Sequence, residues 1–80
     1  MDILEKVTEV VAEVLELEPA EVGPDAQLIE DLGMDSVLAI DVATALEKHY
    51  KIKVPDEQME ALTTPRAIAG IVGALLAAKA

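Results

Sequence analysis

Residues 30–50 read EDLGMDSVLAIDVATALEKHY, and the change of character within them decides the fold. Up to Met34 the segment is acidic and interrupted by Gly33; from Ser36 onward apolar residues recur at helical rather than alternating spacing. Asp35 stands in an N-cap position, so a helix is predicted over Ser36–Tyr50. Lys48 and His49 fall in its last turn, where positive charge complements the helix C-terminus. Ala39, Val42, Ala43, Leu46 and Tyr50 make one stripe suited to a core. Val37, Ile40 and Thr44 face elsewhere, bordered by Asp41, Glu47 and Lys48, while Leu38 falls on neither stripe. The helix therefore has a second apolar face that a core does not account for.

Upstream, Ile3, Leu4, Val7, Val10, Val11, Val14 and Leu15 repeat with the i, i+3, i+4, i+7 spacing of an amphipathic helix. Asp2 with Glu5 supplies a start signal related to the capping box, and the helix should stop before Pro19. A loop of about 18 residues then runs through Asp35, long enough in so small a domain to suggest a functional segment. It holds Pro19, Gly23, Pro24 and Gly33, and Leu28, Ile29 and Leu32 are expected to pin it to the core. Downstream, KIKV is an extended connector, and a short third helix is predicted at Asp56–Ala61 after Pro55. Thr64 as cap with Pro65 at the first helical position opens a last helix, whose buried stripe is Ile68, Ile71, Val72, Leu75 and Leu76. Three longer helices, one short one and no alternating pattern predict an all-α four-helix bundle, with a long loop between helices one and two and a single domain over residues 1–80.

With 80 residues and 52% apolar composition the chain can bury one core. Tyr50 is its only aromatic residue, and the lack of cysteine excludes disulfides, thiolate metal sites and a cysteine nucleophile. The net charge of −10 lies wholly in residues 1–35, where the acids from Asp2 to Asp35 face only Lys6. Such a surface repels nucleic acid and anionic lipid and attracts basic protein patches. The apolar tail AIAGIVGALLAAK is shorter than the ~20 residues of a membrane span. MDILEKVTEV shows no basic segment followed by an apolar stretch. A cytoplasmic, free-standing monomer is the expectation.

Ser36 at the start of the helix admits three roles: a cap, a nucleophile or a point of attachment. A nucleophile needs a base within hydrogen-bond reach. The one histidine, His49, lies on the same rigid helix, about 20 Å along its axis. No G-x-S-x-G elbow is present, and the lysines gather after the helix, so neither a Ser-His nor a Ser-Lys arrangement can form. Glu30, Asp31 and Asp35 match no calcium-loop spacing and read as a solvated acidic turn. Attachment fits better: a phosphodiester on the first turn meets free backbone N–H groups and the positive end of the helix dipole, with Asp31 and Asp35 opposing tight capture.

DLGMDSVLAIDVATALEKHYKIKVPDE resembles the heart of the acyl carrier proteins, whose pattern is D-L-G-x-D-S followed by an apolar-acidic helix. VPDEQMEALTTPRAI resembles their third and fourth helices, and the similarity extends over essentially the whole chain. The resemblance implies a non-catalytic carrier. Its serine, Ser36 here, is modified by a phosphopantetheinyl transferase with 4′-phosphopantetheine from coenzyme A. Acyl groups then ride as thioesters on the terminal thiol, which gives a cysteine-free protein its thiol chemistry. Acyl-transfer, ketosynthase or related enzymes are the implied partners, docking on helix two at Asp35, Val37, Leu38, Ile40, Asp41, Thr44, Glu47 and Lys48.

The chain departs from the common fatty-acid type. Leu38 stands where an acid is frequent, and Lys48, His49, Lys51 and Lys53 occupy a region usually acidic. A dedicated polyketide or specialised lipid pathway is the expectation, with a larger apolar share in docking. A peptidyl carrier is the nearest rival, but such domains often place Gly-Gly-His-Ser before the modified residue, where this chain has Gly-Met-Asp-Ser. An unmodified helical adaptor, with Ser36 as a mere cap, is the rival from another class.

Overall fold

The computed structural model describes residues 2–79. In chain order its helices are α1 (Ile3–Leu15), α2 (Leu28–Leu32), α3 (Ser36–Tyr50) and α4 (Pro65–Lys79), with 3-10 turns at Pro19–Glu21 and Asp56–Ala61. The all-α architecture agrees with the sequence, and α1, α3 and α4 keep their expected bounds.

Local capping explains why. Asp2 Oδ1 accepts from the Leu4 N–H at 3.2 Å, Asp35 Oδ1 from the Leu38 N–H at 2.9 Å, and Thr64 Oγ1 from the Ala67 N–H at 3.1 Å. Each satisfies a donor that the first helical turn leaves without an intrahelical partner. At the other ends, Glu16 and Lys51 adopt left-handed φ of 59° and 56° and return their N–H groups to carbonyls of the last turn.

The core is aliphatic. Val7, Val11, Leu28, Val42, Leu46, Ile68 and Val72 are fully buried, drawn from all four helices. Each such side chain contributes about 1.5–3 kcal/mol of burial. Ile71, Leu75 and Leu76, expected in the buried stripe of α4, are half-buried and pack against the edge of this core.

The short third helix lies at Asp56–Ala61 as expected and is of the 3-10 kind. The long loop needs correction. The loop between α1 and α3 is built rather than irregular. It holds a 3-10 turn, the short α2 and a left-handed Gly33 at φ 74° that lets α2 end sharply into Met34.

That loop is strapped to the start of α4. The Arg66 N–H donates to Pro24 O at 2.9 Å and the Leu28 N–H to Thr63 O at 3.0 Å. The Arg66 guanidinium grips Asp25 through Nε at 2.8 Å and Nη2 at 3.3 Å. Val22, Leu28 and Met34 are its buried anchors, and Leu32 packs half-buried on the core. Ile29 does not pin the loop: it is 59% exposed. Leu28 and Leu32, four apart on one face of α2, take the inward positions and leave Ile29 turned about 100° away.

Candidate functional site

Ser36 is the first residue of α3 and is exposed. Its neighbour Asp35 makes the side-chain cap to Leu38, so the helix does not depend on the serine hydroxyl for its start. The plain-cap role is thereby removed. So is the nucleophile: α3 is one continuous helix, and His49 stands in its last turn, edge-on to Tyr50 with ring centroids 4.7 Å apart. Among the described residues no His, Cys, Asp or Glu cluster is arranged to hold a metal ion, and no buried side-chain polar atom lacks a partner. Asp31, one of the acids before the serine, has its Oδ2 3.2 Å from the Gln27 N–H, which it receives as a bond at the start of α2.

Ser36 lies at a groove of ≈ 580 Å³ between α3 and the 3-10 segment. Ile29 and Met34 line it beside the serine; Ala39, Ile40, Ala43 and Thr44 form the α3 wall; Val54, Met59 and Leu62 lie across. Small alanines on one wall and pliable methionines on the other suit a flexible aliphatic occupant. The charged residues at the groove are Asp35, Glu47, Lys53, Asp56 and Glu60. From Ser36 to Glu47 the α3 wall rises about 16 Å. No α4 residue lines the groove, which α3 and the 3-10 segment wall together with Ile29 of α2 and Met34.

The predicted docking residues differ in exposure. Val37 at 66% exposure and Ile40 at 55% are open to solvent, as are Asp35, Asp41, Thr44 and Lys48. Leu38 is half-buried against the core. Glu47 is half-buried, and its Oε2 accepts from the Val54 N–H at 2.7 Å. It fastens the connector to α3, which is a structural task. Ile29, absent from the predicted set, belongs with Val37 and Ile40: these three are the exposed large hydrophobics among the described residues. Its signal in the sequence was the i, i+4 pair Leu28 and Leu32, which fixes the inward face of α2 and excludes Ile29 from it.

Comparison with known proteins follows the same lines. Residues 5–72 match the family model described as "Phosphopantetheine attachment site". An acyl carrier protein of Sulfurovum sp. is 42% identical over 64 residues, covering 80% of this chain and 85% of the relative. One from Thermosynechococcus vestitus is 36% identical over 77 residues, covering 96% and 95%. Among solved structures, the HMG-ACPI domain of the CurA module from Lyngbya majuscula superposes with a TM-score of 0.81 at 23% identity, over 98% of this chain and 79% of the other. At that identity the likeness is one of fold. The solution structure of oxytetracycline acyl carrier protein gives 0.77 at 25% identity, over 96% and 84%.

Proposed function

This chain belongs to the acyl carrier protein family, and on that premise we propose that Ser36 is the residue that bears its 4′-phosphopantetheine. Acyl carrier proteins are carriers rather than catalysts, and the covalently held group supplies the terminal thiol on which acyl groups ride as thioesters. The observation that carries the assignment to Ser36 is an exposed hydroxyl, freed from capping by Asp35, at the mouth of an apolar groove.

The residues fit the group. A phosphodiester on the first turn of α3 meets the helix N-terminus, while Asp35 alongside weakens the hold so that an attached arm stays mobile. Attachment forms a bond from Ser36 Oγ to the phosphorus next to pantetheine and breaks the diphosphate link of coenzyme A. The nucleotide half departs, and the serine proton goes to a base of the transferase. Within the chain, Asp35, Val37, Ile40, Asp41, Thr44 and Lys48 form the face that partner enzymes meet, and Ala39, Ala43, Val54, Met59 and Leu62 shelter an acyl chain. Residues 1–80 act as one domain in the cytoplasm, with a phosphopantetheinyl transferase and acyl-transfer or ketosynthase enzymes as partners. No helix among the described residues is long and apolar enough to cross a membrane.

The test is incubation with a broad-specificity phosphopantetheinyl transferase and coenzyme A, followed by mass spectrometry. One added phosphopantetheine, mapped to Ser36 and lost in Ser36→Ala, is the expected result; no addition, or addition elsewhere, rejects the assignment. Core-methyl NMR shifts on loading a medium-length acyl chain test the groove, and shifts unchanged at Met34, Met59 and Leu62 would count against shelter there.

A further inference from the structure

We infer that a second cleft, between α1 and residues 19–24, binds a short basic segment of a partner protein, which seats an apolar side chain there between its lysines or arginines. The cleft has a volume of ≈ 560 Å³, within the ~300–1,000 Å³ of ordinary binding pockets. Leu4, Glu5, Thr8 and Glu9 form its α1 wall, with Pro19, Val22 and Pro24 opposite. It shares no lining residue with the groove at Ser36, so filling one does not consume the other, and the inference does not depend on the role of Ser36. Leu4 belongs to the apolar stripe of α1 by spacing, yet it is half-buried and packs outside the core cluster. Thr8 stands one turn on and spends its hydroxyl proton on Leu4 O at 2.8 Å. The facing wall is fixed: Val22 is buried, its N–H donates to Pro19 O at 3.0 Å, and Pro24 O accepts from the Arg66 N–H at 2.9 Å. Two prolines with locked φ stiffen it further, so a ligand has little ordering left to impose.

Charge names the occupant. Every lining residue comes from residues 1–35, the part of the chain that holds its whole net charge of −10. Glu5 and Glu9 stand exposed on the wall, Glu18 and Glu21 are exposed beside it, and no lysine, arginine or histidine lines it. Arg66, which reaches this loop, is already engaged by Asp25. An apolar floor with an acidic rim is matched by an apolar anchor flanked by cations. The sign excludes nucleic acid and anionic lipid. A second copy fits poorly. Its exposed cations nearest an apolar side chain are Lys51 and Lys53, but Ile52 between them packs on its own core and Val54 is buried, so no anchor is free to enter. Such a contact would also be head-to-tail between two chains that repel at −10 each.

The probe is a fluorescein-labelled peptide with one leucine flanked on both sides by lysines, titrated against the full chain by anisotropy and by NMR. Amide shifts are expected at Leu4, Thr8 and Val22 and not at Ser36 or Ile40. Glu5→Gln combined with Glu9→Gln is expected to weaken Kd about tenfold, and Leu4→Ala about fivefold. Glu30→Gln combined with Asp41→Asn makes the same change of charge away from the cleft and should stay within about twofold of the parent. Should Leu4→Ala melt early, a peptide with serine in place of its leucine reads the same contact on the intact chain and is expected to bind about fivefold more weakly. Equal weakening by the two double variants would reduce the binding to bulk attraction and overturn the inference. A serine peptide that binds as well as the leucine peptide overturns it too, as do shifts centred on the groove at Ser36. A parent chain that sediments as a dimer, dissolved by Glu5→Gln with Glu9→Gln, assigns the cleft to a second copy and overturns the partner segment.

Discussion

The two ends of α3 are treated differently by the rest of the molecule. At its N-terminal end Asp35 closes the cap, and beyond it Ser36, Val37 and Ile40 stand in solvent. At its C-terminal end the helix is bound from several sides. Leu46 is fully buried, Glu47 Oε2 takes the Val54 N–H, and Lys79 Nζ donates to Tyr50 O at 3.3 Å and Lys51 O at 2.8 Å. One helix is thus anchored at one end and offered at the other. Residues of the same type on it, Leu46 and Ile40 or Glu47 and Asp41, have different tasks for that reason. Within the last turn itself Glu47 is tied to the connector while Lys48 beside it stays exposed.

The sharpest way to break this contrast is to remove apolar bulk at both ends. Leu46→Ala should cost about 2–5 kcal/mol, the range for a fully buried leucine that leaves a cavity. Ile40→Ala should lie within about 0.5 kcal/mol of the parent, because its side chain makes little of the core. Urea unfolding followed by circular dichroism measures both, and equal losses would erase the distinction. Next in size is Glu47. Glu47→Ala leaves the part-buried Val54 N–H without its acceptor and should cost about 1–2 kcal/mol. Glu47→Gln keeps a carbonyl oxygen in reach and should recover most of that. A Glu47→Gln protein as unstable as Glu47→Ala would show that the charge, not the bond, matters there. Smaller again is Lys79→Met, which removes the donors to two terminal carbonyls of α3 and should cost about 0.5–1 kcal/mol.

How much of this was open to reading from the sequence depends on the reach of each signal. The bounds of α1, α3 and α4 were legible because their caps are local: Asp2, Asp35 and Thr64 lie within three residues of the donors they satisfy. Ser36 was legible for the same reason, since its cap-free exposure follows from Asp35 beside it. α2 was not, because five residues make little more than one turn and show no period to read. Its placement comes from Thr63, Pro24 and Arg66 bonds that join segments far apart in the chain. The bond at Glu47 was not legible for a related reason. An acid beside an exposed face reads as surface until the chain reverses at Lys51 and brings the Val54 N–H back to it. Ile29 fell between the two cases, its neighbours legible and its own exposure not.

The smallest expected effect concerns the strap that holds α2, and so Ile29, beside the free end of α3. The Arg66 guanidinium holds the Asp25 carboxyl below its ordinary value, chiefly through their hydrogen bond, while Asp25 keeps Arg66 above its own. A carboxyl whose folded-state pKa is depressed adds stability above its unfolded value, lost as pH falls through the folded one. The unfolded value is about 3.9, so the contribution is present at pH 7 and disappears below roughly pH 4. Both partners are exposed, so water and salt screen the pair and the contribution is slight. Asp25→Asn should therefore unfold marginally sooner than the parent at pH 7 in low salt and match it in strong acid or at high salt. Because buried Leu28 and the Thr63 bond still hold α2, the loop should keep its place in this variant. If Asp25→Asn instead unfolds as readily as Glu47→Ala, the strap sets the position of α2, and the free end of α3 depends on an anchor at the start of α4.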